Sequence, residues 1–199
     1  MVIDWDELET QRLKEFRISA FNNLGKDYVP GEGSDNPTAF VLGEAPGAQE
    51  AAYRRPFVGP AGVVLRRLLS IGGLSEESCW ITNTVKFRPP QNRKPTPSEI
   101  AAARPFLIRE WHAVGAPRLI IAVGGVALNA LLPRNRMPIT KISGKCIQRN
   151  SVRLGPCYIW PMIHPSYGIR NPGMQPILEQ DWERLCAWIE KNPRIGRRH

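Results

Sequence analysis

The chain has 199 residues, 42% of them hydrophobic and 23% charged, a composition that excludes a mostly disordered polymer and allows a core needing neither disulfides nor a structural metal. Twenty-seven Lys and Arg against 18 Asp and Glu leave a formal charge of +9, which fits a polyanionic partner and equally an ordinary basic protein. No apolar run is long enough to span a membrane, and the N-terminal MVIDWDELETQRLKEF is acidic and amphipathic, unlike a secretion signal.

In chain order, Trp5, Leu8, Leu13, Phe16 and Phe21 recur at near-helical spacing and predict an amphipathic helix over 4–24, stopped at Gly25. Four short apolar runs follow: TAFVLGEAP (38–46), CWITNTVKF (79–87), RLIIAVGG (118–125) and CYIWPMIHP (157–165). Continuous apolar runs of this length read as strands buried on both faces. Helical patterns over 61–71, 97–113, 126–132 and 176–191 alternate with them. Strand and helix in alternation predict an α/β fold, three layers deep, around a central four-stranded, mainly parallel sheet. A single domain over 1–199 is expected, with a frayed basic tail at 192–199.

The cysteines at 79, 146, 157 and 186 form no Cys-x-x-Cys pair and have no His at zinc spacing. They are expected to be reduced, buried thiols of a cytoplasmic protein.

In a parallel sheet, ligands bind beyond the carboxyl ends of the strands, here GEAPG, NTVKFRPP, GG and HPSY. AVGGVALNALL lacks the spacing of a phosphate loop and reads as a helix-packing turn. His164 sits at one strand end, pinned by Pro165. Asn83 sits at another, and its amide offers a donor beside an acceptor, the pattern needed to read a pyrimidine edge. The basic, proline-rich loop beyond it carries Lys86, Arg88, Asn92, Arg93 and Lys94.

These motifs taken in order, GEG (31–33), GEAPGAQE (43–50), RPFVGPAG (55–62), ITNTVKFRPPQNRKPTPSEI (81–100), LIIAVGGVALNALL and HPSYGIRNP (164–172), resemble the uracil-DNA glycosylase superfamily, and most closely its family four. The resemblance covers nearly the whole chain. It implies hydrolysis of the N-glycosidic bond of a uracil flipped out of DNA, leaving an abasic site. It further implies that Phe57 stacks on the base and Asn83 reads its edge, while His164 donates to the leaving base. Glu50 is expected to serve the water or the sugar cation, with Glu44 organising the backbone. Ala45 stands where better-known members carry a water-activating Asp, and Gly47 where others carry a ring beside the 5-position. Arg55, Lys86, Arg88, Asn92, Arg93, Ser166, Ile169 and Arg170 are the implied DNA contacts, with Ile169 as the wedge in the GIRNPG loop.

Family-four members normally hold an iron-sulfur cluster through four cysteines. Phe87 and Ala103 occupy the two loop positions here, and the first-helix region has no cysteine. No cofactor and no metal is therefore expected, with Phe16, Phe87 and Phe106 as apolar replacements for its volume. The partner is DNA, with no membrane, no obligate protein partner, and a cytoplasmic monomer gathered on the nucleoid through its substrate.

Two alternatives are distinct in kind. One is a glycosylase for a modified pyrimidine, such as a hydroxymethylated or glucosylated cytosine in phage DNA, acting in phage defence. The other is a non-catalytic sensor of damaged or foreign DNA. A covalent uracil-DNA trap of the superfamily's type would need a His in the basic loop, and none occurs between Glu50 and Trp111.

Overall fold

The structure is a computed structural model that describes residues 27–133, 137–151, 155–193 and 195. The helix expected over 4–24, Phe16 included, lies outside these residues.

The expected apolar runs form strands β2 (Ala39–Gly43), β3 (Cys79–Asn83), β4 (Leu119–Val123) and β6 (Gly155–Met162). They pair in parallel in the order β3-β2-β4-β6. Two strands not foreseen extend this to a six-stranded mixed sheet: β1 (Glu32–Gly33), antiparallel to β3, and β5 (Ile147–Ser151), antiparallel to β6. The first is only two residues long and the second, IQRNS, is mostly polar. Neither carries the apolar run that marks a buried strand.

Seven α-helices are described: α1 (Ala48–Tyr53), α2 (Pro60–Ile71), α3 (Pro97–Ala113), α4 (Gly125–Leu131), α5 (Ile139–Ile142), α6 (Pro165–Arg170) and α7 (Gln175–Lys191). Alternate residues of each strand feed opposite faces of the sheet. Val41 and Ile121 join Leu65 and Leu68 of α2 and Trp182 and Leu185 of α7 in one core. Phe40, Leu42 and Ile120 join Leu107 and Trp111 of α3 and Leu128 of α4 in the other. The result is helix, sheet, helix in three layers.

Helix α3 starts where its sequence dictates. Thr96 Oγ1 accepts from the Glu99 N–H while Glu99 Oε2 accepts from the Thr96 N–H, and Pro97 fills the first turn. Towards the other end of the described residues, Ile195 is packed in the first core; 194 and 196–199 of the expected basic tail lie outside the described residues. Cys79 and Cys157 are buried as expected, but Cys146 is exposed and Cys186 half-buried. No described helix is long and apolar enough to cross a membrane.

Candidate active site

The carboxyl ends of β2, β3, β4 and β6 open on one side of the sheet into a cleft of about 680 Å³. Its wall includes Glu44, Ala45, Gly47 and Glu50 after β2, Asn83 at the end of β3, Gly124 after β4, and His164 after β6. Phe57, Asn92, Arg93, Ser166, Ile169 and Arg170 complete the set of expected residues that line it.

Asn83 and Phe57 meet over Gly43. A Cβ there would lie 2.3 Å from Asn83 Oδ1 and 2.5 Å from Phe57 Cζ, so the floor of the cleft must be bare backbone. Asn83 is buried, and no described residue hydrogen-bonds its amide. Phe57 adopts a left-handed backbone (φ 53°), uncommon for a side chain of this size. Its carbonyl is held by Arg66 Nη1 at 2.6 Å, and Gly62 leaves room for that carbonyl. The Phe57 and His164 rings lie 6.0 Å apart at 26°, forming adjoining walls.

His164 has a fixed tautomer. Its Nδ1 accepts from the Ser166 N–H at 3.2 Å, with Ser166 Oγ 2.9 Å away, so the ring proton is left on Nε2. Burial, and then the nearby Arg170 charge, push the imidazole down to about 4, against a smaller opposing pull from Glu50. The ring is therefore a neutral donor at physiological pH. Ser166, expected as a DNA contact, here aligns the histidine.

Of the two glutamates, Glu50 is the one that backbone amides hold. Glu50 Oε2 accepts from the Gly47 N–H at 3.0 Å and Oε1 from the Gly59 N–H at 2.8 Å. Both carboxylate oxygens thus tie the GEAPG turn to the segment bearing Phe57. Gly47 has its own steric reason, since a Cβ would stand 2.6 Å from Glu50 Oε2. Glu44 has no hydrogen-bond or ion-pair partner for its carboxylate among the described residues. Its pKa is raised by burial, and the charge of Lys94 opposes the rise. The spacing Gly47-x-x-Glu50 is that of a capping box with glycine at the cap, a signal that points to the organising role.

Several expected DNA contacts are occupied elsewhere. Lys86 is buried, bonded to Glu110 and Thr82, and lies outside the cleft wall; it is not a surface cation. Arg55 pairs with Glu32 at 2.7 Å and Arg88 Nε donates to Asn92 Oδ1 at 2.8 Å, both outside the cleft wall. Arg93 forms a two-pronged bond to Glu99, which braces the proline loop against α3 although Arg93 still borders the cleft. The cations on the wall without an ionic partner among the described residues are Lys94 and Arg170. The expected GIRNPG loop is in part helix, because α6 runs through Arg170. Ile169 and Tyr167 stand exposed on its cleft side.

The residues do not fit an iron-sulfur cluster. Phe87 and Ala103 have no donor atoms, Phe87 is buried with its ring edge-on to Tyr28 at 5.7 Å, and Ala103 packs on Val85. Phe106 is buried beneath the Arg109 guanidinium.

The family model described as the uracil DNA glycosylase superfamily matches residues 30–189. A type-4 uracil-DNA glycosylase of Thermotoga maritima is 35% identical over 187 residues, 93% of this chain and 95% of its own. Another from Saccharolobus solfataricus is 37% identical over 172 residues, covering 84% and 79%. A type-5 uracil-DNA glycosylase of Thermus thermophilus is 32% identical over 149 residues, covering 66% and 64%. With the ordered motifs lying around one cleft and a family match over most of its length, the chain belongs to the uracil DNA glycosylase superfamily.

Proposed function

We propose that this protein is a monofunctional DNA glycosylase that hydrolyses the bond between deoxyribose and a uracil flipped out of DNA, leaving an abasic site. The observation that carries the reading is Asn83. Its amide lines the cleft with no protein partner among the described residues, and a pyrimidine edge entering the cleft can pair with both its donor and its acceptor. Phe57 returns part of the unstacking energy by stacking on the flipped base. As the C1′–N1 bond breaks, its electron pair leaves with the base, and the Nε2–H of His164 donates to the ring oxygen on which negative charge grows. Glu44, rather than Glu50, is the carboxylate free to orient water towards C1′ and to offset the charge of the sugar. Water's oxygen bonds to C1′ and its proton passes to the Glu44 carboxylate and from there to the departed uracil anion, which leaves as neutral uracil.

The protein works on DNA as a cytoplasmic monomer. Lys94 and Arg170 are its phosphate contacts at the cleft, and Ile169 enters the duplex. A cleft larger than one pyrimidine, with Gly47 on its wall, favours a second reading in which a 5-substituted cytosine is accepted.

A panel of duplexes carrying uracil, hypoxanthine or glucosylated hydroxymethylcytosine, with mass spectrometry of the released base, separates the readings. Uracil release, lost in Asn83→Ala, is the expected result. Release of modified cytosine alone would favour the second reading, and binding without release would make the protein a sensor. The protein works without an iron-sulfur cluster. The purified protein should be colourless and free of iron by elemental analysis, and visible cluster absorption would refute this.

A further inference from the structure

Among the buried polar side chains beyond the cleft wall that no step above uses are Ser143 after α5 and Asp181 on α7. They form a chain that ends one residue before His164. Ser143 Oγ donates to Asp181 Oδ2, and the same oxygen accepts the Ile163 N–H at 3.1 Å. Asp181 Oδ1 takes Arg184 Nη1 at 2.7 Å. The neighbouring Gly144 N–H donates to the Pro161 carbonyl at 2.9 Å. Gly144 has a left-handed backbone (φ +68°), and a Cβ there would lie 2.4 Å from Asp181 Oδ1.

Where this bracket sits is what gives it meaning. The β4 ladder reaches Met162, with the Gly124 N–H on the Met162 carbonyl at 2.8 Å, and leaves the Ile163 N–H beyond its end. A hydroxyl has one proton. Once Asp181 accepts it, a lone pair of Oγ is committed to the Ile163 N–H. The peptide leading into His164 is thereby fixed from behind, while Ser166 fixes the ring from in front.

We infer that Ser143, its hydroxyl oriented by Asp181, is a positioning residue that holds His164 in register with the base in the cleft. The inference rests on the reading of His164 as the donor to the leaving base. Misplacing a catalytic group by about 1 Å can cost on the order of 100-fold in rate, so a backbone clamp one residue away acts on turnover rather than on DNA binding.

The test compares wild type, Ser143→Ala and Asp181→Asn by single-turnover uracil release and by nitrogen NMR of the imidazoles, with His112 as an internal reference. Ser143→Ala should lower kcat by about 10-fold or more with KM unchanged. The His164 nitrogen signals should move off those of a pure Nε2–H ring while those of His112 stay put. Asp181→Asn, which keeps the shape but removes the charge, should lower kcat by about threefold or more. Wild-type kcat together with unmoved His164 signals in Ser143→Ala would overturn the inference. Should that variant not fold, the same result in Asp181→Asn would overturn it. If wild type releases no base, the glycosylase reading fails. The shift of His164 in the variants still decides whether the clamp exists.

Discussion

Replacing His164 by alanine is expected to slow base release by roughly 10²- to 10³-fold, the usual cost of losing one donor aimed at a developing oxyanion. DNA affinity should stay within about twofold, since a transition-state contact leaves ground-state binding alone. A variant with full activity would remove His164 from the mechanism. The acid side of the profile makes the same point. An ordinary histidine protonates near 6.5, whereas this one is held down to about 4 by burial first and the Arg170 charge second. The rate should therefore show no histidine inflection near 6.5, and the neutral donor persists until pH approaches 4. Stability carries the same signature with a definite sign. Between pH 6.5 and about 4, the unfolded chain binds a proton at this site and the native one does not, so stability falls as pH falls through that window. The linked loss is roughly 2–3 kcal/mol. Unfolding free energies from urea titrations at pH 7 and pH 4.5 should differ less in His164→Gln than in wild type by about that amount.

Lys86→Ala should destabilise the protein by roughly 3–5 kcal/mol, the cost of stripping one partner from a buried ion pair. Lys86 and Glu110 are both almost wholly enclosed, and Glu110 also accepts from the Gly31 N–H at 3.1 Å and from Thr82 Oγ1. One carboxylate therefore joins α3, the strand bearing Asn83 and the segment before β1. Glu110→Gln should cost less, because it keeps the shape and an acceptor while Lys86 loses only its counter-charge. Paired apolar replacement, Lys86→Met with Glu110→Leu, should recover part of the loss. Urea unfolding at constant m-value measures all three. The salt dependence of DNA binding discriminates this from a surface role. Lys94→Ala should reduce the slope of log K against log salt by about 0.9, and Lys86→Met should leave it unchanged.

How much of this was legible in the sequence depended on whether a residue's role is set by its neighbours along the chain or across the fold. The four parallel strands and α3 were readable because apolar runs and a Thr96-Pro97-x-Glu99 start are local signals. That Asn83 and His164 share a cleft was readable because the motifs place them at strand ends, where parallel sheets put their sites, and Phe57, between α1 and α2, joins them through the ordered series of motifs alone. Charges were misassigned for the opposite reason. A lysine followed by prolines looks solvated until a helix 24 residues later in sequence turns Glu110 towards it. A clue was present, since Glu110 lies beside Trp111 and after the apolar Phe106-Leu107-Ile108 run, where an acid needs a buried base. That backbone amides hold Glu50 and not Glu44 was not legible, because acidity alone does not say which carboxylate they will claim. Ser143 and Asp181 could not be found at all, because their link spans 38 residues and neither belongs to a motif.

The strand order β3-β2-β4-β6 also bears on how the chain folds. β2 emerges first of these four, yet its two neighbours are made only when residues 79–83 and 119–123 follow, and the last parallel partner ends at Met162. The β5–β6 hairpin is local but lies at the sheet's edge; no hairpin joins two of the four parallel strands, and the loop-closure entropy of each parallel pairing must be met before that pairing is rewarded. Folding should therefore be slow for a chain of this size. On the ribosome β2 must wait as an unpaired apolar segment, and the cleft exists only once nearly the whole chain has been released.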